Sequence, residues 1–193
     1  MPTERRIAKF RRVLANRQPD LTVVCENIHD PHNVSAILRT CDAAGVLQVH
    51  LLYTEEAFPE LGKKSSASAK KWIDPVKFRD PRQLRQHLKE KGFTIYATHL
   101  GQHSVSIYEI DWTRPSAIIV GNEHRGVSDE ALAIADVNVF IPMFGMVESL
   151  NVSVATSVIL YEAVRQRLLK GRYPNPDHPE GWVDDLLKDW LGR

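Results

Sequence analysis

Cysteine is scarce in this chain. Cys25 and Cys41 are the only two among 193 residues, too few for a disulfide framework or a thiolate metal cluster, so a reducing, cytoplasmic setting is expected. No apolar run approaches the roughly 18 residues of a membrane span, and no apolar h-region opens the chain, so neither membrane insertion nor secretion is expected. A G-x-G-x-x-G loop is missing after the first strand-like run, which disfavours an ordinary dinucleotide site. Net charge is small as well, +1 at pH 7, and by itself suggests no nucleic acid.

That charge is unevenly spread. Residues 1–17 carry Arg5, Arg6, Lys9, Arg11, Arg12 and Arg17 against Glu4 alone, a local +5, whereas residues 177–193 hold five acids against Lys188 and Arg193, a local −3. A basic arm of this kind is either a phosphate-contacting surface or a solvated helix face. The segment 62–72, GKKSSASAKKW, sets Lys63, Lys64, Lys70 and Lys71 around serines. It reads as a mobile loop, either RNA-clasping or a plain connector.

With 43% hydrophobic and 25% charged residues, the chain has material for one well-packed α/β domain over 1–193. A basic helix, roughly Thr3 to Asn16, precedes strands near Leu21–Ile28, Gln48–Tyr53, Thr94–Thr98, Ala117–Gly121 and Val137–Ile141. Helices are expected over Val34–Ala44, Pro81–Lys91, Ser128–Ala135 and Leu150–Lys170. This alternation predicts a mainly parallel sheet with helices on both faces and ligands at the strand C-terminal ends. Beyond Gly171 a Pro-rich break leads to an amphipathic extension, 174–193, with Trp182, Leu186, Leu187, Trp190 and Leu191 on its apolar stripe. It is expected to dock on its own domain, with a partner or RNA as the alternative.

Three polar clusters sit at strand ends. The run from Pro31 to Gly45 holds His32, Asn33, Ser35, Arg39 and Thr40; the second holds Gly121, Asn122, Glu123, Gly126 and Ser128; the third holds Pro142, Met143, Gly145, Ser149, Leu150 and Asn151. The third joins a Pro/Gly-containing loop to a long apolar helix, which suits an anionic ligand or a simple cap. Read in order, these segments resemble the three signature motifs of the SPOUT methyltransferases, specifically the TrmH-type RNA ribose 2'-O-methyltransferases, and the likeness runs over about residues 5–173.

The resemblance implies a SPOUT fold with a C-terminal trefoil knot, S-adenosylmethionine as methyl donor without any metal, tRNA as substrate and a homodimer. It points to the ribose of guanosine 18 in the D-loop. Ribosomal RNA or the tRNA wobble nucleotide are alternative substrates, and a catalytically silent RNA-binding module is an alternative of another class. By residue, it gives catalysis to Arg39, Asn33, Glu123, Ser149 and Asn151, and the adenosine pocket to Thr98, Gly121, Ile141, Met143 and Leu150. RNA contact falls to Arg6, Lys9, Arg17, His32, Lys63, Lys64, Lys70, Lys71, Arg165 and Arg167, of which Arg165 and Arg167 divide RNA and dimer contacts between them. Arg39 is a poor base, its guanidinium staying protonated up to a pKa above about 12. It is therefore expected to hold the 2'-oxygen and an adjacent phosphate, while the phosphate, a water or a transiently neutral arginine takes the proton.

Overall fold

A computed structural model describes residues 3–59 and 71–192. In chain order the elements are α1 (Glu4–Ala15), β1 (Leu21–Glu26), α2 (Pro31–Ala43), β2 (Gln48–Leu52), β3 (Asp74–Phe78), α3 (Pro81–Glu90), β4 (Thr94–Thr98), β5 (Val105–Ser106), β6 (Ser116–Val120), α4 (Asp129–Leu132), β7 (Val137–Phe140), α5 (Val152–Leu169) and α6 (Trp182–Gly192). The strands make one sheet, ordered β3-β2-β1-β6-β4-β7-β5, and every pairing in it is parallel. Central strands of such a sheet are covered on both faces, and all six residues of β1 are buried.

Alternation along the strands divides the core. Val23, Cys25, Val49 and Leu51 face α2 and α5, where Ile37, Leu38, Ile159 and Leu160 meet them. Val24, Leu52, Ile95 and Ile119 face the other way, onto Leu84 and Leu88 of α3 and Ala131 of α4. The helices begin where their caps lie: Asp30 accepts from the His32 N–H and Pro31 occupies the first turn, so α2 starts three residues earlier than its apolar spacing predicts. Two strands escape sequence reading. β3 is an edge strand containing Pro75, and β5 is only two residues long.

A third, smaller core joins the chain ends. Phe10 and Leu14 of α1 pack on Leu187 and Trp190 of α6, with Trp72 against them, so the amphipathic extension docks on its own chain. Both cysteines are free and buried. Burial, and secondarily the charge of Glu123, pushes the Cys25 thiol up to about 12, which makes it inert as a nucleophile. Among the described residues no helix is long and apolar enough to cross a membrane, and no cluster of three or more potential metal ligands occurs.

His50, 1% exposed on β2, lies edge-on to His87 of α3 with ring centroids 5.3 Å apart. Thr22 Oγ1 donates its proton to the Gln48 carbonyl at 2.8 Å, so the 3.0 Å contact between Thr22 Oγ1 and His50 Nδ1 requires Nδ1 to be the donor. Nε2 is then a bare acceptor, without a partner among the described residues. Burial first, then the charges of His87 and Lys91, depress the His50 pKa to about 3 from 6.5. The folded state thus binds fewer protons than the unfolded chain between these values, and stability is lost as pH falls below 6.5 toward 3. The contribution is a slope of up to about 1.4 kcal/mol per pH unit. Urea unfolding at stepped pH is expected to show this slope, and His50→Leu to flatten it; an equal slope in both proteins would assign the acid sensitivity elsewhere.

Candidate active site

Because all strands run the same way, the segments following β1, β6 and β7 converge on one edge of the sheet. A cavity of about 1050 Å³ opens there. Thr98 at the end of β4, Gly121 after β6, and Ile141, Met143 and Leu150 after β7 all line it, as do Glu123, Ser149 and Asn151. The five residues expected to hold adenosine are therefore brought together. Between Ile141 and Leu150 the chain is irregular. Among the described residues, none of its peptide groups enters the loop and turn backbone hydrogen bonds, which leaves polar groups to offer a ligand.

Gly121 is there for space. A Cβ at this position would come within 2.3 Å of the Gly126 carbonyl and the Val127 nitrogen. The turn pressing on it is closed by reciprocal 2.9 Å bonds between Asn122 and Gly126. It is also tied to β1, since Asn122 Nδ2 donates to the Asn27 carbonyl at 2.7 Å.

Glu123 is a buckle between segments. Its carboxylate accepts from the His29 amide at 2.9 Å, the Asp30 amide at 3.2 Å and Asn33 Nδ2 at 2.7 Å. Partial burial pushes its pKa up, but the Asn33, His29 and Asp30 hydrogen bonds outweigh this and hold it below the ordinary glutamate value. A carboxylate so occupied is a weak proton acceptor and a firm positioning group. Asn33 passes the order on: its Oδ1 accepts from Asn151 Nδ2 at 3.1 Å, while Asn151 Oδ1 caps α5 by accepting from the Ser153 amide at 2.9 Å. Further along, Thr40 and Ser157 hydroxyls meet at 3.1 Å and pin α2 to α5.

Arg39 stands apart. It is exposed on α2, does not line the cavity, and among the described residues has no ion-pair or hydrogen-bond partner. Sequence reading missed Asn27, whose positive φ of 45° lets its Oδ1 accept from the amides of Thr54, Glu55 and Glu56. Its type is the only signal, asparagine being tolerant of the left-handed region, and the strand expected over Leu21–Ile28 runs through it, whereas β1 ends at Glu26.

The RNA-contact expectations divide. Arg6 and Lys9 are exposed on α1, and His32 and Lys71 are exposed as well. Lys63, Lys64 and Lys70 lie outside the described residues. Arg165 is exposed but held in a two-pronged pair with Glu162 at 2.8 Å. Arg17 and Arg167 are corrections, since both side chains are 0% exposed. Arg17 pairs with Asp42 at 2.5 Å and donates to the Val46 carbonyl. Arg167 pairs with Asp20 at 2.5 Å and donates to Gln18 and to the Trp112 carbonyl. These are internal braces, and burial keeps both guanidinium groups from phosphate, even the Arg17 Nε, which has no partner among the described residues.

Comparison with known proteins agrees with this geometry. The model of the SpoU rRNA Methylase family matches residues 20–161. The tRNA (guanosine(18)-2'-O)-methyltransferase of Thermus thermophilus is 49% identical over 191 residues, 99% of this chain and 98% of that protein. The crystal structure of the Aquifex aeolicus TrmH/SpoU tRNA modifying enzyme superposes with a TM-score of 0.90 at 44% identity, covering 98% of this chain and 96% of that one. The SpoU methyltransferase AviRb from Streptomyces viridochromogenes, solved with AdoMet, gives a TM-score of 0.68 at 27% identity over 79% of this chain and 59% of that one.

Proposed function

The chain belongs to the SpoU methylase family, with its α/β SPOUT-type fold, and on that premise we propose that it methylates the ribose 2'-OH of guanosine 18 in tRNA. One observation carries the choice of substrate. Helices α1 and α6 fall outside the family match of 20–161, yet the likeness to the Thermus tRNA enzyme continues through 99% of this chain.

S-adenosylmethionine, when bound, supplies a methyl group made electrophilic by its sulfonium. The cavity suits it: Gly121 lets backbone approach closely, Ile141, Met143 and Leu150 give apolar walls, and irregular backbone offers donors and acceptors. Asn33 and Asn151, set by the Glu123 buckle, position the ribose beside Ser149. Arg39 holds the 2'-oxygen and the neighbouring phosphate, stabilising negative charge as the proton leaves. The reading places the enzyme with its tRNA in the cytoplasm. The direct test is nucleotide mapping after incubation with S-adenosylmethionine and a tRNA transcript. A 2'-O-methyl group at guanosine 18 is expected; modification elsewhere, or of ribosomal RNA alone, would overturn the substrate.

A second copy completes this reading. Arg39 lies outside the cavity of its own chain, and α5 exposes Val154, Tyr161 and Leu168 seven residues apart, one stripe down the helix. Phe144 and Met146, 97% and 99% exposed, extend the apolar surface beside the cavity. A two-fold dimer covers this surface and brings Arg39 to its partner's cavity. Sedimentation at micromolar concentration is expected to give twice the 21.9 kDa chain mass; full activity from a single-chain species would refute the dimer. Neutralising Arg6 and Lys9 together is expected to flatten the log–log salt dependence of tRNA affinity by up to about 1.4 to 1.8, at 0.7 to 0.9 per phosphate. An unchanged slope would make the arm purely structural.

A further inference from the structure

The acidic C-terminal helix lies directly against the basic N-terminal one. On charge alone α6 should weaken RNA binding, because Asp184, Asp185 and Asp189 outnumber Lys188 and would repel phosphates arriving at α1. The packing argues the opposite.

On α1 the spacing i, i+4, i+7 sets Arg5, Lys9 and Arg12 in one row, within a helix rise of about 10 Å. With Thr3, Arg6 and Ala8 these residues line a shallow surface groove. The opposite face, Phe10 and Leu14, is the one α6 covers. Arg11, on the flank, is already taken by Asp184 at 2.5 Å. The acidic helix therefore neutralises the cation beside the seam and leaves the row of three facing away from it.

Trp190 is the hub of that seam. Its ring meets Phe10 of α1 edge-on at 5.7 Å and Trp72, just before β3, at 4.9 Å, while Phe10 and Trp72 also touch at 5.2 Å. The guanidinium of Arg17 lies 5.2 Å over Trp190, and Arg17 is braced to Asp42 of α2. One side chain thus ties the arm, the sheet domain and the C-terminal helix together. Among the described residues α1 is held by this cluster, by the Asn175 amide donating to the Ala15 carbonyl at 2.8 Å and by the connection at its C-terminal end.

We infer that α6 is a clamp acting through Trp190, fixing α1 against the sheet domain as a pre-oriented row of phosphate-binding cations, so that an acidic helix raises affinity for RNA. A row held in place loses less conformational freedom on binding than a loose arm would. The inference rests on the reading of α1 as an RNA contact.

The two are separated by parallel variants, with tRNA affinity measured across salt concentrations, S-adenosylmethionine affinity as the check on the sheet domain, and hydrogen exchange of the α1 amides. Trp190→Ala is expected to speed exchange over Glu4–Ala15, to lower tRNA affinity about tenfold and to leave cofactor affinity unchanged. Leu187→Ala, which loosens the same seam without touching Arg17, is expected to do the same more mildly. Should Trp190→Ala lose cofactor binding, Leu187→Ala decides. A clamp variant that frees α1 yet binds tRNA as tightly as the parent, or more tightly as charge alone dictates, overturns the inference. The triple variant Arg5→Ala, Lys9→Ala, Arg12→Ala tests the reading beneath it: unchanged affinity and salt slope there would remove α1 from the RNA interface, whereas a loss confined to the triple variant would overturn the clamp alone.

Discussion

Replacing Arg39 with alanine is expected to lower the single-turnover rate of methyl transfer about a hundredfold or more, the usual cost of removing a positioned group that stabilises developing charge. Cofactor affinity should stay at the parental value, because Arg39 is exposed on α2 and contributes nothing to the cavity wall of its own chain. Arg39→Lys should recover only part of the rate, since an ammonium lacks the planar fork that can hold the 2'-oxygen and a phosphate together. Rapid-quench measurement with saturating tRNA and S-adenosylmethionine separates rate from binding; a variant keeping most of the parental rate would remove Arg39 from the chemistry. If Arg39 serves the partner's cavity, heterodimers of Arg39→Ala and Asn151→Ala chains should regain one intact site. Absence of rescue would place both residues in one subunit's site.

Much of this arrangement could be read in the sequence because it is local. The strand Thr94–Thr98 and the helix starting at Pro81 carry their own signals, a short apolar and aromatic run between threonines in one and an Asp-Pro start in the other. Parallel topology then requires that three polar clusters following three strands meet at one edge, so the adenosine-side residues converge as expected. What stayed hidden depends on distant partners. Arg17 reads as one more cation in a basic arm until Asp42, 25 positions on, buries its charge. Arg167 looks like the exposed end of a helix until Asp20, 147 positions away, meets it. A charged residue announces its charge and not its burial. Glu123 was legible as a polar residue at a strand end, grouped by the resemblance with Asn33, but its part as a buckle was not, since its amide donors come from an irregular turn more than 90 positions earlier.

The other large effect is expected at Gly121. A methyl group added here would lie 2.3 Å from the Gly126 carbon and oxygen and the Val127 nitrogen, all backbone atoms that cannot swing aside as a flexible side chain would. Relief requires opening the turn, which breaks the reciprocal Asn122–Gly126 bonds and displaces Glu123 from the amides and Asn33 it holds. Gly121→Ala should therefore cost about 3 kcal/mol of stability, the upper end for overpacking a tight site, and should abolish measurable S-adenosylmethionine binding because Gly121 lines the cavity. Gly145 is the internal control. It lines the same cavity, but a Cβ there meets nothing within 4 Å, so Gly145→Ala should unfold within about 0.5 kcal/mol of the parent, as open surface sites do. Urea unfolding and calorimetric titration of the two variants side by side make the comparison. Parental stability and cofactor affinity in Gly121→Ala would mean that the turn yields where its hydrogen bonds and backbone packing say it cannot.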